Sequence, residues 1–282
     1  MNNHSTYPRV WLVTGSSRGL GAEIVTAVLA NGDAVVATAR NAQAVIQRFG
    51  ASASLLALDL DVRDEAAARR AVHEGIAHFG RIDIVVNNAG YGILGAVEEA
   101  SAEEISAIFA TNVFGLLNVT RAVLPQLRAQ RSGHLINISS VGGYQSGPGF
   151  GIYCSTKFAV EGLSEALHGE LLPLGIKVTL LEPGHFRTDF LDISSIIPSQ
   201  SLIEDYAGTA GLAREMGISH NHKQSGDPKK LAQALLQLVT ADKPPLRIQF
   251  GRDALRIVQA KNAFVEREQL QWQALATATD YL

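Results

Sequence analysis

The sequence predicts an α/β fold, a doubly wound and mostly parallel sheet with helices on both faces. Three observations predict it. Short apolar runs alternate with longer segments of helical spacing along most of the chain. The runs are apolar throughout rather than at every second position, as in strands covered on both faces. A glycine-rich turn joins the first run to the first helical segment, and ligands of such sheets bind at the carboxyl ends of the strands.

Each element follows from its own pattern. VWLVT (10–14) reads as a buried strand, and 19–31 has helical spacing through Leu20, Ile24, Val28 and Leu29. AVVATA (34–39) is a strand, 41–49 a short helix, SLLALDL (54–60) a strand and 64–79 a helix. IDIVVN (82–87) is the fourth strand, followed by separate helices at 101–110 and 113–130. HLINISS (134–140) is a strand, 153–173 a helix and KVTLLEP (177–183) a strand. A helix near 228–241 and a last strand, LRIQF (246–250), complete the alternation. Residues 1–282 read as a single domain.

Two stretches depart from the rhythm. Residues 186–227 are rich in Ser, Ile, His and Gly with no clear period. An insertion of that length is usually functional or partly disordered; this one follows a strand, at the ligand-binding edge, with a solvent-exposed tail as the alternative. Its Phe186, Phe190, Leu191, Ile193, Ile196, Ile197 and Leu202 suggest an apolar substrate pocket. Residues 252–282 form an extension, helical over 252–275, carrying Leu255, Val258, Phe264 and Trp272.

The bulk numbers narrow the classes. A net charge of −3 over 282 residues offers nothing to nucleic acid or an acidic membrane. Hydrophobic residues make up 46%, enough for a full core, yet no run has the roughly 18 uninterrupted apolar residues of a spanning helix. The N-terminus MNNHSTYPRV lacks the pattern of a signal peptide. The single cysteine, Cys154, excludes an internal disulfide framework. A soluble cytoplasmic protein is expected. The eight histidines show no metal-ligand spacing, so no metal is expected.

Chemistry concentrates in a few motifs. TGSSRGLG (14–21) places Gly15, Gly19 and Gly21 between a strand and a helix. Glycine lets such a turn bring backbone N–H groups and a helix N-terminus close to a phosphate. The fourth strand ends in NNAG (87–90). Further on, Tyr153 and Lys157 stand four residues apart, on one face if the segment is helical. An ammonium there can lower the pKa of a phenol, though spacing alone fits an aromatic and a lysine that merely share a face.

Together the glycine turn and NNAG resemble the short-chain dehydrogenase/reductase family, with its Rossmann-type nucleotide-binding fold. The resemblance extends through Asn112, Ser140, Tyr153, Lys157 and Pro183-Gly184 and covers most of the chain. It implies an oxidoreductase acting on CH–OH groups. Tyr153 would be the general acid/base, with Lys157 depressing its pKa and binding the nicotinamide ribose. Ser140, thirteen residues ahead of Tyr153, would hydrogen-bond the substrate oxygen, and Asn112 would hold a water in the proton path. The cofactor would be held by Gly15, Ser17, Arg18, Gly19, Leu20, Gly21, Arg40, Asp61, Val62, Asn88, Ala89, Gly90, Tyr153, Lys157, Pro183, Gly184 and Thr188. Ser139 competes with Ser140, a helix cap with the role of Asn112, and Asp59 with Asp61. His185 is placed to face the nicotinamide pocket. The glycines at 142, 143, 147, 149 and 151 suggest a mobile active-site loop or an ordinary coil.

The second strand ends Thr38-Ala39-Arg40, without the acid that would bond the ribose hydroxyls of NAD. Arg40 and Arg18 suit a 2′-phosphate instead, so NADP (NADPH) is the expected cofactor. The expected reaction interconverts a carbonyl and a secondary alcohol on a steroid-like, retinoid-like or other hydrophobic ketone, or an acyl-thioester ketone. A non-catalytic dinucleotide-binding sensor of the same fold is the alternative. Family resemblance also implies pairing into a dimer or tetramer through helices 113–130 and 153–173.

Overall fold

The computed structural model describes residues 7–281. The expectation about a leader concerns residues of which 1–6 lie outside that range. Seven parallel strands form the central sheet in the order β3-β2-β1-β4-β6-β7-β9. These are β1 (Val10–Thr14), β2 (Ala34–Ala39), β3 (Leu55–Asp59), β4 (Ile84–Asn87), β6 (Gly133–Ile138), β7 (Ile176–Pro183) and β9 (Arg247–Phe250). Between β1 and β4 the order reverses, opening a crevice at the carboxyl edge where such folds bind ligands.

Successive strand residues face opposite sides of a sheet, which explains the unbroken apolar runs. Trp11 and Val13 join a core with Ile24 and Val28 of α1 (Gly19–Ala30) and Leu231 and Leu235 of α8 (Pro228–Leu238). Val10 and Leu12 join another core with Val72 of α3 (Glu65–Phe79) and Val119 and Val123 of α5 (Leu116–Gln130). α2 (Ala42–Phe49) contributes Val45 to the first face. α6 (Gly151–Leu171) runs alongside β7.

Where the sequence reading separates helices at 101–110 and 113–130, the chain forms one continuous helix. α4 (Ala102–Phe109), opened by the Ser101–Glu104 capping box, passes through a π turn at Ala110–Gly115 into α5. At 29 residues it is long and apolar enough to cross a membrane by length and composition. Val119, Val123 and Leu127 are instead packed against the sheet.

Residues 186–227 are also more ordered than their composition suggests. They contain short 3-10 turns, the strand β8 (Ile196–Pro198), a π turn at Ala207–Gly211 and α7 (Leu212–His220). β8 pairs in parallel with β5 (Gly92–Leu94), just beyond NNAG. The buried Glu99 carboxylate accepts from Ile203 N and Arg214 Nη1, at 2.9 and 2.6 Å, and so ties the segment to the body. The Arg214 guanidinium holds that carboxyl down to about 2. α9 (Arg252–Thr277) ends the fold, its outer half exposed.

Candidate active site

The glycine turn is built around a close approach between two strand ends. Gly15 has φ +65°, and a Cβ there would lie 3.0 Å from the Ala89 Cα. At Gly21 a Cβ would lie 2.4 Å from the Gly15 carbonyl oxygen. Asn88 fills the junction, its amide donating to the carbonyls of Thr14 and Gly15 at 2.9 and 3.1 Å. Thr14 Oγ1 accepts from the N–H groups of Asn88 and Ala89, both at 3.0 Å. Thr14 is a residue that sequence reasoning missed; its hydroxyl at the end of β1 was the available signal. The result is a turn whose backbone packs closely on the end of β4 and borders the cavity, an arrangement that fits a pyrophosphate.

Asn112 sits in the π turn, an irregularity frequent at functional sites. Its amide nitrogen donates to Tyr91 O at 2.9 Å and Thr156 Oγ1 at 3.0 Å, and its Oδ1 accepts from Tyr91 N at 3.1 Å. It therefore clamps the chain after NNAG to α6 and caps no helix end. Both amide protons are spent, and one acceptor position remains on Oδ1.

Ser140, Tyr153 and Lys157 converge from β6 and α6. Lys157 Nζ donates to the Ile138 carbonyl at 2.8 Å and stands 5.8 Å from the Tyr153 ring centroid. Ser140 Oγ accepts from Gly142 N at 3.0 Å, within the 3-10 turn Val141–Gly143 that orders the start of the glycine-rich loop. Tyr153 and Lys157 are 8% and 7% exposed. Burial pushes the Tyr153 phenol well above its ordinary value, with the Ser140 hydroxyl pulling the other way. Burial also brings Lys157 down to about 8, against the charge of Glu161. Desolvation is the largest influence on the phenol and raises it, opposite in sense to the depression expected from a neighbouring ammonium. Cys154 lines the same space as a thiol pushed up by burial.

At the basic positions the two arginines differ. Arg18 is engaged, its Nη1 donating to Ser194 Oγ at 2.5 Å and its Nη2 to Ser194 O at 2.6 Å. Arg40 is exposed and bears on the Asp61 carboxylate only as a nearby charge. Asp59 is spent on the N-terminus of α2, accepting from Ala42 N at 2.6 Å. Asp61 pairs with Arg63.

These residues border one cavity of about 740 Å³. Ser17, Gly19, Leu20, Val62, Gly90, Pro183, Gly184 and Thr188 lie on its wall with Gly15, Arg18, Arg40, Asp61, Asn88, Ala89, Ser140, Tyr153 and Lys157. Gly21 and Asn112 lie behind the wall. His185 faces the cavity, its ring and backbone N–H bonded to Asp253 at 2.9 and 2.7 Å. Of the apolar residues expected from 186–227, Phe186, Phe190, Leu191 and Ile197 line it. Ile196 is buried against Leu94 and Ala213 instead, and Ile193 and Leu202 point to solvent, 80% and 68% exposed. Tyr91, Phe150 and Ile257 complete the apolar wall and were missed, since nothing in their local spacing marks them. Phe190 lies 5.5 Å, ring to ring, from Tyr153. Among the described residues Asp189, Asp192 and His222 bring their ligand atoms within 4.8 Å of one another, a grouping no sequence spacing foreshadows.

A buried phenol and an ammonium over a glycine-floored crevice suit proton transfer beside a bound dinucleotide, and they place the protein among the dinucleotide-dependent oxidoreductases. Comparison with known proteins narrows the class: the profile of the short chain dehydrogenase family matches residues 9–195, and the chain belongs to that family, whose members act on CH–OH groups. It is 38% identical over 274 residues to oxidoreductase BOA17 of Botryotinia fuckeliana, covering 96% of this chain and 99% of that protein. It is 39% identical over 245 residues to the 3-ketodihydrosphingosine reductase of Bacteroides thetaiotaomicron, covering 86% and 88%. The crystal structure of a short-chain dehydrogenase from Streptomyces avermitilis superimposes with a TM-score of 0.88 at 38% identity, covering 96% and 100%. A closed serine dehydrogenase complexed with NADP+ superimposes with a TM-score of 0.73 at 27% identity, covering 86% and 94%.

Proposed function

We propose that the protein uses NADP to interconvert a ketone and a secondary alcohol on a hydrophobic small molecule. The observation that carries this reading is the meeting of Ser140, Tyr153 and Lys157 in one cavity with Arg40 and with apolar walls from Tyr91, Phe150, Phe190, Leu191 and Ile197. The backbone floor at Gly15 and Gly21 would take the pyrophosphate, Arg40 the 2′-phosphate, Asp61 and Val62 the adenine, and Lys157 the nicotinamide ribose. When bound, the cofactor supplies or accepts the hydride.

The residues of this chain supply the rest. Ser140 donates a hydrogen bond to the substrate oxygen and stabilises its developing charge. Tyr153, held protonated by burial, gives its proton to the forming alcohol and recovers it through Lys157. Asn112 holds the backbone at Tyr91 and, through its remaining acceptor position, a water behind Lys157. The segment 186–227 acts as a lid that excludes bulk water from the apolar part of the cavity. The 3-ketodihydrosphingosine reductase is named for a keto substrate, which supports a lipid-like ketone here.

The test is the loss of NADPH absorbance with a panel of long-chain, steroidal and acyl-thioester ketones. Turnover of an apolar ketone with kcat/KM for NADPH about tenfold or more above that for NADH is expected. Tight NADPH binding without turnover of any ketone would overturn the reading. A cytoplasmic location belongs to the same proposal. So does self-association through α5 and α6, supported by exposed Phe114, Phe158 and Leu172 and testable by sedimentation.

A further inference from the structure

His185 borders the cavity, and the proposed chemistry gives it no task. It follows Pro183-Gly184 at the end of β7. Its side chain is 65% exposed, yet its ring is held. Nδ1 lies 2.9 Å from Asp253 Oδ2, and the backbone N–H of the same residue donates to that oxygen at 2.7 Å. One carboxylate oxygen thus fixes both the main chain and the ring.

The carboxylate is fixed in turn. Asp253 stands in the first turn of α9, where the helix N-terminus favours an acid. Two glycines make room for it. A Cβ at Gly184 would lie 2.4 Å from both of its oxygens, and one at Gly251 2.4 Å from Oδ1. Gly184 N donates to Phe250 O at 2.9 Å, which sets the end of β7 beside the start of α9. Ile257, one turn beyond Asp253 on the same face of α9, borders the cavity too. The first turns of α9 therefore belong to the cavity wall, and Asp253 ties His185 to them.

The hydrogen count gives the chemistry. An ionised carboxylate only accepts, so Nδ1 carries the proton. In the neutral ring Nε2 is then left as an acceptor. Ser140 and Tyr153, as read above, donate to the reacting oxygen, and the walls around them are apolar. We propose that His185 is a specificity-determining residue: held by Asp253, it accepts a hydrogen bond at Nε2 from a hydroxyl or amine of the substrate. This deepens the ketone reading above and rests on it. The substrate is an apolar ketone with a second, hydrogen-donating group, rather than a plain hydrocarbon ketone.

The test measures binding to the Tyr153→Phe protein loaded with NADP+, so that turnover does not intervene. Calorimetry at about pH 8, above the ordinary imidazole value, compares a long-chain ketone with the same chain carrying a hydroxyl or a methoxy group at successive carbons from the carbonyl. One hydroxy ketone is expected to bind about three- to tenfold more tightly than the plain ketone, the effect of one hydrogen bond. Its methoxy counterpart, which cannot donate, shows no gain. Adding His185→Ala removes the gain, while the plain ketone and NADP+ bind within about twofold as before. Adding Asp253→Asn, which loosens the ring, lowers the gain. A gain that survives undiminished in either variant overturns the proposal, as does a series in which no hydroxy ketone binds more tightly than the plain one. An equal loss for plain and hydroxy ketones also overturns it, and would make the pair a structural bridge between β7 and α9. Reduction of the same ketones by wild type with NADPH is read separately: binding without turnover would overturn the ketone reading, while calorimetry alone decides the role of His185.

Discussion

Tyr153 shows how one side chain is given its task by its surroundings. Spacing suggested a phenol made acidic by Lys157, whereas burial raises it in the folded chain, which suits the proposed role of a proton given only to a forming alkoxide. Tyr153→Phe removes the hydroxyl and keeps the ring. It should lower kcat by ~10²-fold or more while NADPH affinity, measured by fluorescence titration, stays within about twofold; near-normal turnover would take Tyr153 out of the mechanism. The proposed cofactor preference is tested at the same scale. Arg18 bonds Ser194 and Arg40 is exposed, so Arg40 is the arginine on which the proposed NADP preference rests. Arg40→Ala should weaken NADPH by about tenfold, the effect of one charge-assisted contact at an exposed site, and leave NADH nearly unchanged. Ala39→Asp, at a position on the cavity wall, should tilt kcat/KM toward NADH by repelling the phosphate. A wild type that already prefers NADH would make both arginines ordinary surface charges.

At the scale of elements, the segment 186–227 is held at two points of different strength. Glu99 binds Arg214 and Ile203 from a buried position, whereas Arg18 holds Ser194 at the surface. Buried, paired anchors open rarely and exposed ones often. Hydrogen exchange should therefore slow across residues 189–198 when NADPH and substrate bind, while 203–214 changes little. Equal protection of 189–198 in the free and ternary states would mark it as a fixed loop. The composition of this stretch hid its order because β8 has three residues and α7 nine, too few for a periodic pattern to emerge. The π turn was hidden for another reason: its extra residue breaks the 3.6-residue spacing, so one helix reads as two.

Over the whole molecule, stability responds to pH through groups spread across the sheet. His134 of β6 is 4% exposed and bonded to Thr179 Oγ1 at 2.9 Å, and burial brings its pKa down to about 4. The unfolded chain takes up that proton near 6.5 and the folded one does not. The contribution is intact above 6.5 and is lost as pH falls toward 4, by about 1.4 kcal/mol per unit within that window. Glu161 and Glu182, raised by burial, act in the opposite sense, so total stability masks the effect. Denaturant unfolding of wild type and His134→Gln isolates it: the gap between them should shrink by about 1–2 kcal/mol from pH 7 to pH 5. A gap that stays constant would show that His134 titrates normally.

By itself, the sequence determined the sheet and its flanking helices, and it singled out the candidate reacting groups. VWLVT, AVVATA and HLINISS read as strands because full burial on two faces selects unbroken apolar runs, a constraint that acts locally and leaves its mark locally. The glycine turn and NNAG were legible as motifs, and Ser140, Tyr153 and Lys157 became candidates through the family resemblance those motifs carry, since the spacing of Tyr153 and Lys157 alone fits a shared helix face equally. Only the tertiary structure decided the rest. It decided that Tyr91, Phe150 and Ile257, far apart in the chain, share one wall, that Ile193 and Leu202 face solvent, that Arg18 is taken by Ser194, and that Glu161 pairs with Arg247. Each of these depends on a partner distant in sequence, and desolvation and charge depend on everything that folds around a group rather than on the group itself.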